Sequence, residues 1–180
     1  MKAIMLTIRL KWFYLTYKGI KTIEVRKSAP KDFVGDVFEV VSKTNFEKDL
    51  MEIPENEREF FRQFKGKVGL KFTLNKVEKI LEHITNTYMS YCTNSLSCDE
   101  FFEKSCLTID ELENYLNWNA GGYAWHISNL VIFDRPRELS EFKIPCDFKC
   151  PKLGCCYCHK NTRLTKAPQS YQFIEVVGDK

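Results

Sequence analysis

The sequence predicts an α+β fold, and three patterns carry that reading. Lys67–Leu81 alternates apolar and polar residues with Val68, Leu70, Phe72 and Leu74 on one side, the period-two signature of a strand. Asp36–Ser42 (Asp-Val-Phe-Glu-Val-Val-Ser) is rich in β-branched residues, which favour extended backbone. Helix punctuation falls between such runs: an aromatic-rich segment stops at Gly19, and Thr108 with Glu111 has capping-box spacing. With 180 residues, 44% hydrophobic and 28% charged, the chain can bury a real core in one domain, residues 1–180, with insertions.

In chain order, residues 3–9 alternate weakly and form a first strand. Trp12, Phe13, Leu15 and Tyr17 belong to a helix over Lys11–Lys18, and Thr22–Lys27 forms a short charged strand. Ser28-Ala29-Pro30 turns the chain into the Asp36–Ser42 strand. Pro54–Phe64 is helical, with Pro54 near its start and Phe60, Phe61 and Phe64 on one side. Residues 84–118 change character and form a helical insertion. Thr85–Ser97 is polar and loop-like, Asp99–Lys104 is one short helix, and Ile109–Leu116 is a second behind the Thr108 cap. After the Asn119–Gly122 turn, Tyr123–Phe133 is extended, Arg135-Pro136 breaks it, Leu139–Phe142 is a short turn or helix, and Ser170–Val177 is the closing strand.

Function points first to Gly19-Ile20-Lys21-Thr22-Ile23-Glu24-Val25-Arg26. Strand alternation sends Ile23 and Val25 to a core and puts Glu24 and Arg26 on the other face, with Lys21 at the strand's mouth. A carboxylate flanked by two cations can hold a polar planar ligand or a phosphate. The same residues also fit a solvated strand face with a modest ion pair. These positions resemble the G-x-K-x-x-E-x-R pattern of the ASCH family, whose members are small β-barrels similar to the PUA RNA-binding fold. Met5–Ile8, Lys11–Lys18, Tyr123–Ile127, Phe133–Pro136 and Ala167–Tyr171 extend the resemblance, in the manner of bacterial and phage members. It implies a PUA-like mixed β-barrel over residues 1–83 and 119–177, with peripheral helices.

The resemblance also implies a cleft lined by Lys21, Glu24, Arg26, Ser42, Trp125, His126, Gln169, Ser170 and Tyr171, and as ligand an RNA or a modified or flipped nucleotide. An aromatic platform, a carboxylate for a base amino group and cations for phosphate are what such recognition needs. Ordinary readings stand beside it. Trp125 lies in an apolar strand and fits the core, His126 fits a satisfied buried histidine, and Gln169 and Ser170 fit turn residues bonded to backbone. Some family members remove acetyl from N4-acetylcytidine with a threonine nucleophile three residues after the lysine. Glu24 stands there in this chain, so the alternative is an amidohydrolase with Lys21 as base and Glu24 as its partner, or a ribonuclease in which Lys21 and Arg26 stabilise a phosphorane-like charge. A third reading is a phage-encoded protein that engages a host partner.

Cys146, Cys150, Cys155, Cys156 and Cys158, followed by His159, crowd the loop over residues 143–168. The C-x-x-C of Cys155–Cys158 with Cys146-x3-Cys150 suits a structural zinc ion. Cys146, Cys150, Cys155 and Cys158 are the ligands of choice, and Cys156 and His159 the substitutes. Such a site staples a loop and offers no open position for water. Cys92, Cys98 and Cys106 read as small buried hydrophobes. No apolar run approaches membrane length and the N-terminus reads as a strand, so a cytoplasmic protein without a membrane partner and without an organic cofactor is expected. Net charge is only +3, so nucleic-acid contact must come from local clusters, such as Lys18, Lys21, Arg26, Lys27 and Lys31, or Lys149, Lys152, Lys160, Arg163 and Lys166.

Overall fold

The computed structural model describes residues 2–84, 89–117, 121–145 and 163–176. The described chain is α+β: eight strands, five α-helices and one 3-10 turn. In order these are β1 (Lys2–Ile8), α1 (Leu10–Tyr17), β2 (Ile23–Arg26), β3 (Gly35–Val41), α2 (Phe46–Met51), α3 (Glu55–Arg62), β4 (Val68–Ile84), β5 (Met89–Cys92), α4 (Cys98–Ser105), α5 (Ile109–Leu116), β6 (Gly122–Arg137), the turn Leu139–Glu141, β7 (Phe142–Lys143) and β8 (Tyr171–Val176). Hydrogen-bonded neighbours run β2-β6-β4-β3-β1-β8-β7, with β5 on β4. The order does not return on itself, so the described strands form an open mixed sheet where the sequence led us to expect a closed barrel. β2 and β7, which end the order, are only four and two residues long, leaving few main-chain groups to bridge.

Two compact units emerge. The first comprises Met1–Tyr14, Gly35–Phe72 and Val131–Lys180, and the second Leu15–Val34 and Thr73–Leu130. In the first, β1 pairs parallel with β3 (Ile4↔Val37 to Ile8↔Val41) and antiparallel with β8 (Lys2↔Glu175 to Leu6↔Tyr171). Five of the seven β1 residues are buried, which explains its weak alternation: a strand covered on both faces has no reason to alternate. Ala3 and Met5 join Phe38, Val40, Val68, Phe142, Leu164 and Ile174 in one cluster. Rings from α1, α3 and the turn after α3 make another packed group, with Phe13 5.2 Å from Phe64 and Phe61 5.9 Å from Phe64. Gly69 lets β4 pass beneath it, since a Cβ there would lie 2.4 Å from Phe13 and 2.6 Å from Phe64.

In the second unit β2 pairs antiparallel with β6, and β4 with β5. Helices α4 and α5 begin at full capping boxes. Ser97 Oγ accepts from Glu100 N at 3.3 Å while Ser97 N donates to Glu100 Oε2 at 2.9 Å. Thr108 and Glu111 repeat the arrangement at 3.2 and 3.1 Å, as their spacing predicts. Ile23, Val25, Ile80, Tyr91, Phe101, Leu112, Leu116 and Ala124 form the core of this unit. Two local expectations fail, and one helix had none. Part of the polar 85–97 segment is strand β5, because β4 extends to Ile84 and offers a partner for it. Pro136 does not end β6, which runs on to Arg137, since proline is tolerated at strand ends. Helix α2 carries no strong sequence signal and starts from Asn45 in the left-handed region, φ 56°.

Candidate functional site

The charged segment lies in the second unit, and its setting begins at the end of α1. Gly19 has φ +71°, the left-handed conformation that closes a helix, with Gly19 N donating to Thr16 O at 2.9 Å and Ile20 N and Lys21 N to Leu15 O at 3.0 and 3.1 Å. This turn delivers Lys21 into the interior. β2 is then held on one side by β6, with Ile127 N donating to Thr22 O at 3.0 Å, and tied to the end of α4, where Lys104 O accepts from Thr22 N at 2.9 Å.

Lys21, Glu24 and Arg26 come together. Lys21 Nζ donates to the carbonyls of Ile23 and of Ser105, the latter at 3.0 Å, and lies 3.2 Å from Glu24 Oε2. Arg26 Nη2 lies 2.8 Å from Glu24 Oε1. Their exposures are 2%, 5% and 7%, so this is no solvated strand face. The alternation of Ile23 and Val25 into the core is as expected, but the opposite face is closed too. Charge survives there because the carboxylate is shared by two cations and the ammonium meets two carbonyls, one at the negative end of α4. The three N–H groups of Lys21 thus have three acceptors, and the side chain acts as a clamp between β2 and α4.

Register separates the two aromatic candidates on β6. Directly opposed residues share a sheet face; Trp125 opposes Glu24 and His126 opposes Ile23. Trp125 is on the face of the charged trio but is fully buried, with its ring closed to solvent. His126 is on the other face, where Nε2 meets Glu78 Oε2 at 2.7 Å. That same oxygen accepts from Ser95 Oγ at 2.6 Å and Thr93 Oγ1 at 3.3 Å, and Lys76 Nζ stands 3.1 Å away. A shallow concavity also opens in this unit, lined by Ile80, Glu82, Tyr91, Glu113, Leu116, Gly121 and Gly122. None of the charged trio lines it. Tyr91 donates to Glu113 Oε1 at 3.1 Å, and burial together with Glu113 pushes the phenol up to about 12.

One aromatic residue escaped the sequence reading. Tyr115, near the end of α5, is 38% exposed and sits beside the trio. Burial of its hydroxyl raises its pKa, opposed by Arg26, whose guanidinium hydrogen-bonds to it, and by a hydrogen bond from the Lys27 main chain. Lys27 Nζ lies 5.4 Å from the Tyr115 ring centre. Lys18, Lys27 and Lys31 are all exposed in this unit. The signal for Tyr115 was absent because a tyrosine on the outer side of a helix reads as ordinary amphipathic surface.

The Glu78 network sets an acid limit on stability. Burial disfavours the charged carboxylate, but hydrogen bonds from Ser95, Lys76 and His126 overcome this and hold its pKa at about 2, below the ordinary 4.5. Its contribution is therefore complete above about 4.5 and is lost as pH falls toward 2. Burial lowers the His126 pKa, outweighing the opposing pull of Glu78, so the unfolded chain takes up that proton first on acidification. Both effects weaken the fold at low pH. Thermal melts from neutrality to about pH 2.5 will show a fall in stability that Glu78→Gln flattens, by roughly 2–3 kcal/mol across that range.

Four other candidates, Ser42, Gln169, Ser170 and Tyr171, belong to the first unit. Ser42 Oγ accepts from Thr44 N at 3.0 Å, Ser170 O accepts from Thr7 N at 3.0 Å, Gln169 is exposed, and Tyr171 is half-buried opposite Leu6. Cys146, Cys150, Cys155, Cys156, Cys158 and His159 lie outside the described residues. Among the described residues no group of three metal-ligating side chains converges, and no helix is long and apolar enough to cross a membrane.

Two solved structures similar to this chain are of ASCH proteins. One is a crystal structure of ASCH from Zymomonas mobilis, 10% identical, with a TM-score of 0.47, covering 96% of this chain and 87% of the other. A point mutant of that organism's ASCH protein matches at 12% identity and a TM-score of 0.47, covering 76% of each chain. No protein-family model matches the sequence, and no curated protein matches it either.

Proposed function

We propose that this chain is an ASCH/PUA-like module that binds single-stranded RNA or a modified or flipped nucleotide at the edge formed by Tyr115, Arg26 and Lys27. The observation that supports this reading most is the exposed Tyr115 ring, held by the guanidinium of Arg26 with the Lys27 ammonium 5.4 Å from its centre. An aromatic face for a base and adjacent cations for its phosphate are the minimal equipment for a nucleic acid without duplex structure. The buried trio fixes this edge: Lys21 and Arg26 hold Glu24, and Arg26 in turn holds Tyr115. A hydrolase that needs Lys21 as its base is supported less, because that ammonium is engaged by two carbonyls and a carboxylate.

Titration of fluorescent single-stranded RNA tests the reading. Tyr115→Ala is expected to weaken binding by at least about tenfold, the loss of one stacked base. Lys27→Ala is expected to weaken it evenly across sequences and to reduce the salt slope by about 1. Lys27 is exposed and Tyr115 is 38% exposed, and circular dichroism of each variant checks that the fold is kept. Unchanged affinity in both variants overturns the proposal, while acetate release from N4-acetylcytidine by the wild type would establish the hydrolase instead. Single-stranded DNA run in parallel decides between the two nucleic acids.

The cysteine-rich loop enters the proposal as a staple. Cys146, Cys150, Cys155 and Cys158, or Cys156 and His159 in substitution, are proposed to hold a structural zinc ion. Metal analysis of purified protein is expected to find a single zinc ion per chain, and the Cys155→Ser, Cys158→Ser double variant to lose it. Metal-free wild type overturns this part alone.

A further inference from the structure

The shallow concavity of the second unit has apolar walls, and its charged lining groups are carboxylates. Glu82 on β4 stands directly opposite Tyr91 on β5, so the two share one sheet face, and Ile80 precedes Glu82 on that face. α5 packs there: Leu116 joins Ile80 and Tyr91 in the core, and Glu113 lies one turn before it. Gly122 forms a close backbone wall, since a Cβ there would lie 2.9 Å from Leu116 Cδ1 and 3.0 Å from Ile80 Cδ1. Tyr115 is about 200° round the helix from Glu113, so the concavity is distinct from the proposed RNA edge. Glu113 is only 8% exposed, and Tyr91 donates to its Oε1 at 3.1 Å. Among the described residues no donor or cation meets its Oε2, or either oxygen of the exposed Glu82 at the mouth. A carboxylate this buried ordinarily has donors for both oxygens. Lys79 comes to the rim, its Cε 4.0 Å from where a Gly121 Cβ would stand, and pairs with neither carboxylate.

We propose that this concavity binds a primary alkylammonium group, carried by a free polyamine or by a lysine side chain. An ammonium brings one positive charge and three N–H donors. Glu113 Oε2 takes one donor, Glu82 at the mouth takes another, and the Tyr91 oxygen accepts the third. Tyr91 gives its own proton to Glu113 and stays protonated throughout the neutral range, which holds the carboxylate in place. Ile80 and Leu116 cover the methylenes of the stem. The cavity volume is ≈ 30 Å³, room for an ammonium head and too little for a nucleobase. A magnesium ion would keep its water here, because it needs about six oxygens in a regular octahedron. A phosphate would meet two carboxylates and be repelled.

Titration of the full-length protein with n-butylammonium, followed by the NMR signals of the Leu116 methyls, tests this. n-Butanol, which has a similar shape without the charge, and sodium chloride at equal ionic strength are the controls. n-Butylammonium is expected to shift the methyl signals saturably and to bind at least about tenfold more tightly than n-butanol. Glu113→Gln keeps an acceptor for Tyr91 and removes the charge; it should weaken binding at least about tenfold, with circular dichroism confirming its fold. Glu82→Gln, at an exposed position, should weaken it about threefold and decides the matter if Glu113→Gln does not fold. Spermidine and a capped Gly-Lys-Gly peptide separate the two carriers: the tighter binder names the source, and either order supports the site. Absence of a saturable shift, equal binding of n-butanol, the same shift with sodium chloride, or full affinity in the folded variants overturns the proposal. RNA affinity is not the readout, so failure here leaves the Tyr115 edge untouched.

Discussion

Glu24→Ala will lower the unfolding free energy by about 3–5 kcal/mol, because it leaves two buried cations with no counter-charge. Lys21 and Arg26 both point at the Glu24 carboxylate, 3.2 and 2.8 Å away, and none of the three is more than 7% exposed. Alanine restores neither water nor charge to that position. Urea titration followed by circular dichroism measures the loss. A decrease under about 1 kcal/mol, the range of solvated pairs, would mean that water reaches the trio and that it is not a buried cluster. Replacing all three charges together with apolar residues should recover much of the stability, since the desolvation cost then disappears with the charges. That variant also separates support from recognition: it should keep the fold and lose the Arg26–Tyr115 contact on which the proposed RNA edge depends.

Trp125→Ala will cost a comparable amount, about 3–5 kcal/mol, by opening a cavity in a packed core. The side chain is fully buried and is the largest among the described residues to be so. The blue-shifted, acrylamide-protected component of the emission should vanish in Trp125→Phe, leaving that of Trp12 and Trp118. Adding RNA to the wild type should leave the Trp125 signal unquenched, whereas stacking of a base on that indole would quench it. The sequence allowed either role. β6 places Trp125 opposite Glu24, on a face that other parts of the chain cover, and this coverage makes it core.

The legible part of the fold was local. Gly19 as a helix stop, the alternation of Ile23 and Val25, and the caps at Thr108 and Glu111 each follow from a few neighbouring residues, and all are present. Segments whose state depends on a partner were misread or missed. β5 exists because β4 runs far enough to pair with it, and β6 passes Pro136 because its end tolerates a missing donor. In the site, the proximity of Lys21, Glu24 and Arg26 was readable from spacing, but Tyr115 reaches Arg26 from a helix almost ninety residues downstream. Glu78 and His126 meet over a separation of 48 residues, which no motif records.

By itself the sequence determined where α1 ends and α5 begins, which strand residues are apolar, and that one acid and two bases stand within six positions of each other. Only the tertiary structure decided that both faces of β2 are closed, that Trp125 is core, and that Tyr115, Cys92 and Cys98 face solvent in part. The reason is the range of the forces concerned. Backbone preference and capping act over a turn or two and are written in adjacent residues. Burial and the pairing of charges depend on which distant segment covers a face, and that is fixed only when strand register and helix docking are complete.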